Sequence, residues 1–166
     1  QAPLALEEVA QLCWAAQGVT HDGMHRTAPS ARAMYPLELY LLAGDVTGLP
    51  AGLYHYEPPF HSLRLLASGD LRARLGERSG EPWTARAPAM FVLAGIASKL
   101  KEFQSRAVPF MWAEAGCAAQ GLFVQAVALG LGSTFVGGIN ADAVGEVLSL
   151  DKAEEVLAIL PVGRPQ

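Results

Sequence analysis

The sequence predicts a single domain of the α+β class. Three short segments, residues 37–43, 52–57 and 63–67, have strand-like patterns and follow one another with turn residues between them. A longer segment, residues 110–129, is apolar almost all round, which is typical of a helix that is buried on every side. The chain has 166 residues with no repeat and no low-complexity linker, and this length suits one domain.

The first half of the chain alternates helix, loop and strand signals. Residues 4–17 carry apolar side chains at helical spacing and stop at Gly18, so they predict a first helix. Residues 18–36 are rich in His, Gly, Thr, Pro and Ser and predict a long loop, which in a compact domain is more often functional than idle. The strands at 52–57 and 63–67 are expected to form a hairpin through Pro58, Pro59 and Phe60.

The second half predicts further helices and strands around the apolar segment. Residues 70–78 indicate a short polar helix with Leu71 and Leu75 facing inward, residues 89–96 a buried strand, and residues 98–106 an amphipathic helix. After the apolar helix, residues 133–139 predict a strand, Asn140 a cap for a helix that ends at Leu148, and residues 156–162 a final strand.

Composition and charge exclude several classes of partner. The net charge of -4 and the absence of a Lys/Arg run make a nucleic-acid partner unexpected. No signal peptide and no membrane span are apparent, so the cytoplasm is the expected location.

Cys13 and Cys117 both lie in apolar helical patterns and are expected to be reduced core residues, with no metal-binding spacing around them. Because 51% of residues are hydrophobic and only 17% charged, part of the apolar excess is expected at a subunit interface.

Two neighbouring motifs carry a family resemblance. Residues 26–40 read R-T-A-P-S-A-R-A-M-Y-P-L-E-L-Y, and residues 52–58 read G-L-Y-H-Y-E-P. Together they resemble the nitroreductase superfamily of FMN-dependent oxidoreductases, and more closely its SagB-type dehydrogenase subgroup. Shorter similarities at residues 114–120, 128–133 and 160–165 extend the resemblance over most of the chain. It implies the nitroreductase-like α+β fold, an antiparallel-rich central sheet flanked by helices, and a homodimer with FMN at the subunit interface.

The loop before the first long strand offers groups that FMN needs. A flavin requires an apolar slot, hydrogen bonds to its ring edge, and cations or backbone N–H groups for its phosphate. Arg26 suits the phosphate or the electron-rich edge of the ring, Pro29 fixes the backbone, and Ser30 can bond ring or ribityl oxygens. The resemblance implies flavin contacts for Arg26, Pro29, Ser30 and Ala31. The alternative is an ordinary turn in which Ser30 caps a short helix and Arg26 is solvated.

Two further segments are candidates for cofactor binding. Gly137 and Gly138 lie between a predicted strand and a helix N-terminus, where free N–H groups can meet a ligand oxygen. The resemblance places the flavin ring beside this turn, and it gives the terminal Arg164 a role at the FMN phosphate. Gly130 and Gly132 are better interpreted as a helix C-cap and a tight connection.

The chain departs from the family pattern in its loop and at its start. Arg32 stands where the subgroup usually has Gly, and it either points outward or lines the substrate side and favours an anionic substrate. The arginine-rich segment that usually precedes the first helix of nitroreductases is not present before residue 4. Either that segment lies outside these 166 residues, or the protein lacks part of its phosphate clamp.

A third departure concerns the reaction. Azoline-oxidising members of the subgroup carry a Lys-Tyr pair before the segment that matches residues 114–116, with the lysine as a base. Counting back, these positions fall on Glu102 and Phe103, with Lys101 one residue away. A phenylalanine cannot donate or accept a proton, so azoline oxidation is not expected.

The polar side chains that remain do not identify a catalytic residue. His55 alternates with Tyr54 and Tyr56, so a structural or surface role is expected for it. Glu114 and Gln125 share one face of the apolar helix and bond either within the domain or at a dimer interface.

The expected function is therefore an FMN-dependent two-electron reduction or dehydrogenation of a small molecule, with NAD(P)H as a candidate donor. Two alternatives remain open at this point. One is a ligand-binding protein that uses no flavin, and the other is an azoline dehydrogenase-type component of peptide modification.

Overall fold

The computed structural model describes residues 2–21 and 23–165. Short 3-10 turns connect several of the regular elements, at Ala31–Ala33, Pro58–Phe60, Pro82–Arg86 and Ala97–Arg106. The elements within the described residues are, in chain order, β1 (Leu4–Ala5), α1 (Leu6–Gln17), β2 (Leu37–Ala43), β3 (Val46–Thr47), β4 (Gly52–Glu57), β5 (Ser62–Ser68), α2 (Arg72–Ser79), β6 (Ala89–Gly95), α3 (Ala107–Ala128), β7 (Gly132–Ser133), α4 (Ala141–Leu148) and β8 (Glu155–Gly163).

A six-stranded sheet in the order β5-β4-β2-β6-β8-β7 forms the centre, and each neighbouring pair in it is antiparallel. This confirms the α+β class and the antiparallel-rich sheet. Every residue of β6 is buried, because helices cover both faces of the sheet at this strand. The short β1 and β3 form a separate parallel pair.

The two faces of the sheet have separate cores. One core packs α1 and α3 against side chains such as Leu39, Leu41 and Phe91. The other packs α4 and Leu75 of α2 against side chains such as Leu42 and Val92. Alternate residues of β2 and β6 therefore enter different cores, as the two-residue period of a strand requires.

Several predicted elements are confirmed. The strands at Leu37–Ala43 and Gly52–Glu57 have the predicted bounds, and the next hairpin turns through Pro58–Phe60. Asn140 Oδ1 accepts a hydrogen bond from the Ala143 N–H, which confirms the predicted cap of α4. Gly130 has a φ of 70° just after α3 ends, as a helix C-cap requires.

Other boundaries are corrected. The first helix begins at Leu6 rather than at residue 4, because the Leu4 N–H donates to the Asp45 carbonyl and Leu4 pairs with Val46 in β1 and β3. The strand predicted at 133–139 is wrong beyond Ser133. Within residues 132–139, Gly132 and Ser133 pair with β8 as a ladder, and Val136 adds a single bridge to Ile159.

The segment before the long helix also differs from its prediction. Residues 98–106 belong to a 3-10 segment with a break at Gln104, whose φ is 49°, and not to a regular amphipathic helix. The long helix α3 begins at Ala107, so Pro109 lies in its first turn, where a missing N–H costs nothing. Cys13 is buried as predicted, whereas Cys117 is exposed, so the prediction of a core position for Cys117 is wrong.

Candidate functional site

The loop between Arg26 and Tyr35 is ordered by hydrogen bonds within itself and to α1. The Tyr35 N–H donates to Ser30 Oγ at 2.8 Å, and the Arg26 N–H donates to the Tyr35 hydroxyl at 3.1 Å. The Arg26 guanidinium donates to Gln17 Oε1 at 2.8 Å and stacks over the Tyr35 ring, 4.5 Å from its centroid. Burial lowers the pKa of Arg26, against the opposing influence of Glu38 and Tyr35. Arg26 therefore helps to order the loop.

A buried carboxylate fixes the same loop to α3. Glu114 is 6% exposed, and its Oε1 accepts the Ala31 N–H at 2.8 Å. The side chain thus bonds within the domain, as one of the two interpretations of the sequence has it. Of the predicted loop residues, Ala31 is thus bonded to Glu114, Pro29 is exposed and Ser30 is half-buried.

The backbone beyond Ala31 is strained. Arg32, Ala33 and Tyr35 all have positive φ values, of 49°, 54° and 46°, in a region that favours glycine. Such strain costs on the order of 1 kcal/mol or more per residue and persists only where the surroundings hold it. It is typical of ligand clamps and active-site loops.

A groove of about 740 Å³ opens at the other end of the sheet, and we call it the C-terminal groove. Its walls come from the turn before β6, from β7 and from the end of β8. Its volume lies in the range of pockets that bind cofactors. The lining residues are Trp83, Thr84, Arg86, Ala87, Gly132, Ser133, Thr134, Pro161, Gly163, Arg164 and Pro165.

The C-terminal groove combines cations, hydroxyl groups and an aromatic ring. Arg86 and Arg164 supply two guanidinium groups, and Trp83 lies in the wall with 42% of its surface exposed. Ser133 Oγ is buried and has no hydrogen-bond partner within the described residues. An unpaired buried hydroxyl is costly, so this atom indicates a missing partner. The groups present fit a phosphorylated ligand that also carries a ring and hydroxyl groups, and FMN is such a ligand.

Comparisons with known proteins identify the family of the chain. The nitroreductase family profile matches residues 1–164, nearly the whole chain. This chain belongs to the nitroreductase family. A protein of Methanocaldococcus jannaschii that is named as a nitroreductase is 32% identical over 164 residues, which are 98% of this chain and 82% of that protein.

Solved structures of the nitroreductase fold superimpose closely. A Ralstonia eutropha JMP134 protein named as a nitroreductase has a TM-score of 0.84 and 30% identity, over 100% of this chain and 76% of that one. A chain of the E. coli microcin synthetase McbBCD complex has a TM-score of 0.86 at 22% identity, over 100% of this chain and 66% of that one. The NADPH:FMN oxidoreductase of Vibrio harveyi, solved with NAD+, has a TM-score of 0.67 at 17% identity, over 99% of this chain and 62% of that one. The last two similarities concern the fold alone.

In this member of the family, the two arginines that were predicted to bind the cofactor contact opposite ends of α1. Arg26 bonds Gln17 at the end of α1, whereas Arg164 Nη2 donates to both oxygens of Glu8 in its first turn, at 2.9 and 3.0 Å. Nine residues of helix separate the two partners, which is roughly 13 Å along the axis. Arg26 and Arg164 of one chain are therefore bonded near opposite ends of α1.

The glycine turn lies apart from the loop as well. Gly137 and Gly138 are exposed between the Val136 bridge to β8 and the Asn140 cap of α4. The sheet order places β6 and β8 between β2, which follows the loop, and the edge strand β7, which precedes the turn. The turn is close in sequence to Thr134 of the C-terminal groove. Within one chain, Arg164 therefore lines the C-terminal groove, whereas residues 26–31 do not.

Sequence reasoning missed four groove residues, Trp83, Arg86, Ser133 and Thr134. The first two lie in the 3-10 turn Pro82–Arg86, a short segment between a polar helix and a buried strand that carries no motif. An aromatic residue and a cation close together in such a connection were the available signal. The other two were hidden by the wrong prediction of a long strand from residue 133.

A chain of ion pairs joins the two motifs that carry the family resemblance. The His55 Nε2 and Glu38 Oε2 atoms lie 3.0 Å apart, and Lys99 Nζ donates to Glu38 Oε1 at 2.7 Å. Arg64 approaches His55 Nδ1 at 3.3 Å and donates to Glu57 at 2.8 Å. Because Arg64 can only donate, His55 Nδ1 accepts and the proton of a neutral ring lies on Nε2, towards Glu38. This gives His55 the structural role that was predicted.

Other classes of site find little support in the described residues. Among residues 2–21 and 23–165, no three His, Cys, Asp or Glu side chains are grouped so that they could hold a metal ion. No helix within that part of the chain combines the length and apolar character needed to cross a bilayer. Burial raises the pKa of the Cys13 thiol, so this group stays protonated and is a poor nucleophile.

Proposed function

We propose that this nitroreductase-family chain is an FMN-dependent oxidoreductase that reduces or dehydrogenates a small molecule, with NAD(P)H as the electron donor. The observation that carries the proposal is the C-terminal groove, whose lining includes Arg86, Arg164 and Ser133, with no hydrogen-bond partner for Ser133 Oγ within the described residues. The named activity of the Vibrio harveyi fold neighbour, an NADPH:FMN oxidoreductase, supports the choice of cofactor.

The groove residues have distinct roles in this proposal. Arg86 and Arg164 supply charge for the phosphate, and Ser133 and Thr134 supply hydroxyl groups for the sugar-like chain. Trp83 already donates its indole N–H to Glu81, which leaves the ring face as its contribution to the groove. When it is bound, FMN supplies the two-electron redox chemistry. The chain supplies binding, orientation and control of water.

We further propose that two copies of the chain complete each site. The loop residues Arg26, Pro29, Ser30 and Ala31 of one copy would meet Gly137, Gly138 and the C-terminal groove of the other. The roughly 13 Å between the α1 partners of Arg26 and Arg164 supports this arrangement, because a single chain keeps these segments apart. An exposed apolar face on α3 supports it too, since that face needs a cover. Its members include Val124 and Val127, which are 61% and 75% exposed.

The site holds no evident protein base within the described residues, and we assign no catalytic residue. Glu114 is occupied by the Ala31 N–H, and His55 by Glu38 and Arg64. A reduction of this kind takes its proton from solvent, which an open groove admits. The function of the site then depends on holding a cofactor and admitting a substrate.

Fluorescence titration of FMN into the chain tests the proposal. We expect saturable quenching, weakened about tenfold by Ser133→Ala and by Arg164→Gln, since each change removes one hydrogen bond or ionic contact. Arg74→Gln, at an exposed position on α2, is the matched control and should change nothing. Riboflavin, which lacks the phosphate, should bind more weakly than FMN and should be insensitive to Arg164→Gln.

The absence of saturable FMN binding would favour a nitroreductase-like ligand-binding protein without flavin. The Arg164–Glu8 ion pair is the observation that favours this alternative, because it already satisfies the arginine without any ligand. The Glu8→Gln variant tests whether this ion pair competes with FMN for Arg164. It should strengthen FMN binding if Arg164 must leave Glu8 to reach the phosphate, and otherwise it should have no effect.

A further inference from the structure

We infer that Arg32, Arg106 and the ring pair Phe103–Phe110 form a subsite for an anionic aromatic substrate. The inference rests on the proposed function, because it names the substrate class of that same site. Arg32 directly follows Ala31, the last of the loop residues proposed to meet the cofactor, so this subsite adjoins that contact.

Contacts connect these side chains in one row. The Arg32 guanidinium lies 5.6 Å from the centroid of the Phe103 ring, and the Arg106 guanidinium lies 4.8 Å from that of Phe110. The two rings meet edge to face, with centroids 5.1 Å apart and an interplanar angle of 83°. Both rings are half-buried against the α1 and α3 core, which fixes their position while part of each stays accessible.

The cations in this row remain available to a ligand. The Arg32 side chain is 71% exposed, and within the described residues its one ionic contact is an N–H donated to Glu102 Oε2 at 3.2 Å. A guanidinium has five N–H groups, so most of its donors stay open to a carboxylate. Stacking on a ring holds the plane of the guanidinium and leaves its edge for a two-point contact with an anion.

Local charge also favours an anion. The exposed side chains of Arg32, Lys101 and Arg106 are positively charged and that of Glu102 is negatively charged, while Lys99 is paired with Glu38, in a protein whose net charge is -4. Such a local excess of positive charge attracts anions. The accessible rings add an apolar platform for an aromatic group.

Backbone strain at Arg32 points to the same role. Its φ of 49° is one that glycine adopts freely and arginine does not, so the side chain is kept there at a cost in stability. Strain of this kind is concentrated at residues with a task in binding. The contact with Phe103 shows what the side chain does at this position, because it brings the charge over the ring.

A matched pair of probes tests the inference. 4-Nitrobenzoate and 4-nitrobenzamide have the same shape and the same reducible group and differ in charge. We expect equilibrium dialysis against the FMN-treated protein to give at least about tenfold tighter binding of the benzoate, since one ionic contact distinguishes the two. Arg32→Gly and Arg106→Gln should each reduce this preference severalfold. Glu102→Gln should increase it, because it removes the competing carboxylate.

Arg32→Gly is the decisive variant, because glycine relieves the positive φ and the protein should fold at least as well. Arg74→Gln is the control, as an exposed arginine on a different element. Equal binding of the two probes, or a preference that survives both arginine changes, would overturn the inference. The FMN titration reports separately on the proposed function. A charge preference that depends on Arg32 in a protein that binds no FMN would reject the flavin and retain the subsite.

Discussion

Glu38 connects two stretches of sequence that look independent when they are read along the chain. It belongs to the Y-P-L-E motif, and its partner His55 belongs to G-L-Y-H-Y-E. The register of β2 and β4 pairs Tyr40 with His55 and so brings the carboxylate within 3.0 Å of the ring. The two motifs are therefore one structural unit, and their joint appearance in the sequence has a physical reason.

The charge state of Glu38 should contribute to stability. Burial opposes its charge, but hydrogen bonds from His55 and Lys99 outweigh that effect and hold the pKa of Glu38 below its ordinary value. A depressed folded pKa means that the stabilisation is fully present above the unfolded pKa and is lost as the pH falls through the folded one. We expect Glu38→Gln to lower the free energy of unfolding by about 1–3 kcal/mol at neutral pH. The difference from the wild type should shrink in acid below pH 4.5, as urea unfolding at several pH values would show.

Glu57→Gln is the matched control for that experiment. Glu57 also pairs with a basic side chain, Arg64 at 2.8 Å, but this pair is solvent-exposed and screened. Its removal should lower the free energy of unfolding by less than the removal of Glu38 does. Equal losses in the two variants would mean that burial of Glu38 does not strengthen its contacts.

At the scale of elements, α3 has two different sides. Residues such as Met111, Ala115 and Leu122 are fully buried against the sheet and α1. On the opposite side, Val124 and Val127 are 61% and 75% exposed. The sequence shows a helix that is apolar all round, and only the packing shows which side the domain itself covers.

The uncovered side of α3 predicts a homodimer. We expect the wild-type chain to sediment at micromolar concentration with twice the mass of one chain, because burial of this face stabilises the pair. Val124→Lys combined with Val127→Lys should yield monomers, since two charges would be buried without partners. Lysine suits a helix, so α3 itself should survive.

Ala73→Lys, on the exposed side of α2, serves as the control and should leave the dimer intact. A wild-type chain that stays monomeric at high concentration would show that the apolar face has another cover. Loss of FMN binding together with the dimer would agree with a site completed by two copies.

At the scale of the whole molecule, the sheet separates the parts of the candidate site. The end of the loop meets the sheet where β2 and β6 join, since the Ile96 N–H donates to the Pro36 carbonyl. Arg164 follows the far end of β8, nine residues from the start of that strand. An extended strand of this length spans about 30 Å, so the sheet itself sets the distance between these groups.

The segment between β6 and α3 decides which chemistry we expect to be missing. Glu102 is bonded to Arg32, Phe103 lies under that guanidinium, and Lys99 is held by Glu38. The two counted positions, Glu102 and Phe103, therefore do not supply the Lys-Tyr pair of azoline-oxidising relatives, and Lys99 is engaged by Glu38. We expect FMN-treated protein to leave thiazoline peptides unchanged in mass, while quinones or nitroaromatics are reduced.

Lys101 provides the check on that expectation, because it is exposed and one residue from the counted position. Loss of two hydrogens from a thiazoline peptide, abolished by Lys101→Ala, would identify this lysine as a base. Lys152→Ala, on the surface near β8, is the control and should leave the result unchanged. That outcome would replace the small-molecule proposal with a role in peptide modification.

Local sequence was sufficient for much of the fold. The apolar alternation of Leu37–Ala43 and the prolines at Pro58–Phe60 fix a strand and a turn with nearby residues alone. The strand predicted at 133–139 failed because its pattern cannot show that Phe135 and Gly137 leave the ladder after Ser133. The prediction of a core position for Cys117 failed for a related reason, since a fully apolar helix gives no sign of which side faces the solvent.

The sequence by itself determined the family and the α+β class, because these depend on short motifs and local periodicity. Only the tertiary structure decided that Arg26 is bonded to Gln17, that Arg164 pairs with Glu8, and that Arg86 and Ser133 share a groove. These contacts join residues far apart along the chain, and their distances follow from the length of α1 and the order of the strands. A local pattern carries no information about such distances, so the assembly of the site had to come from the fold.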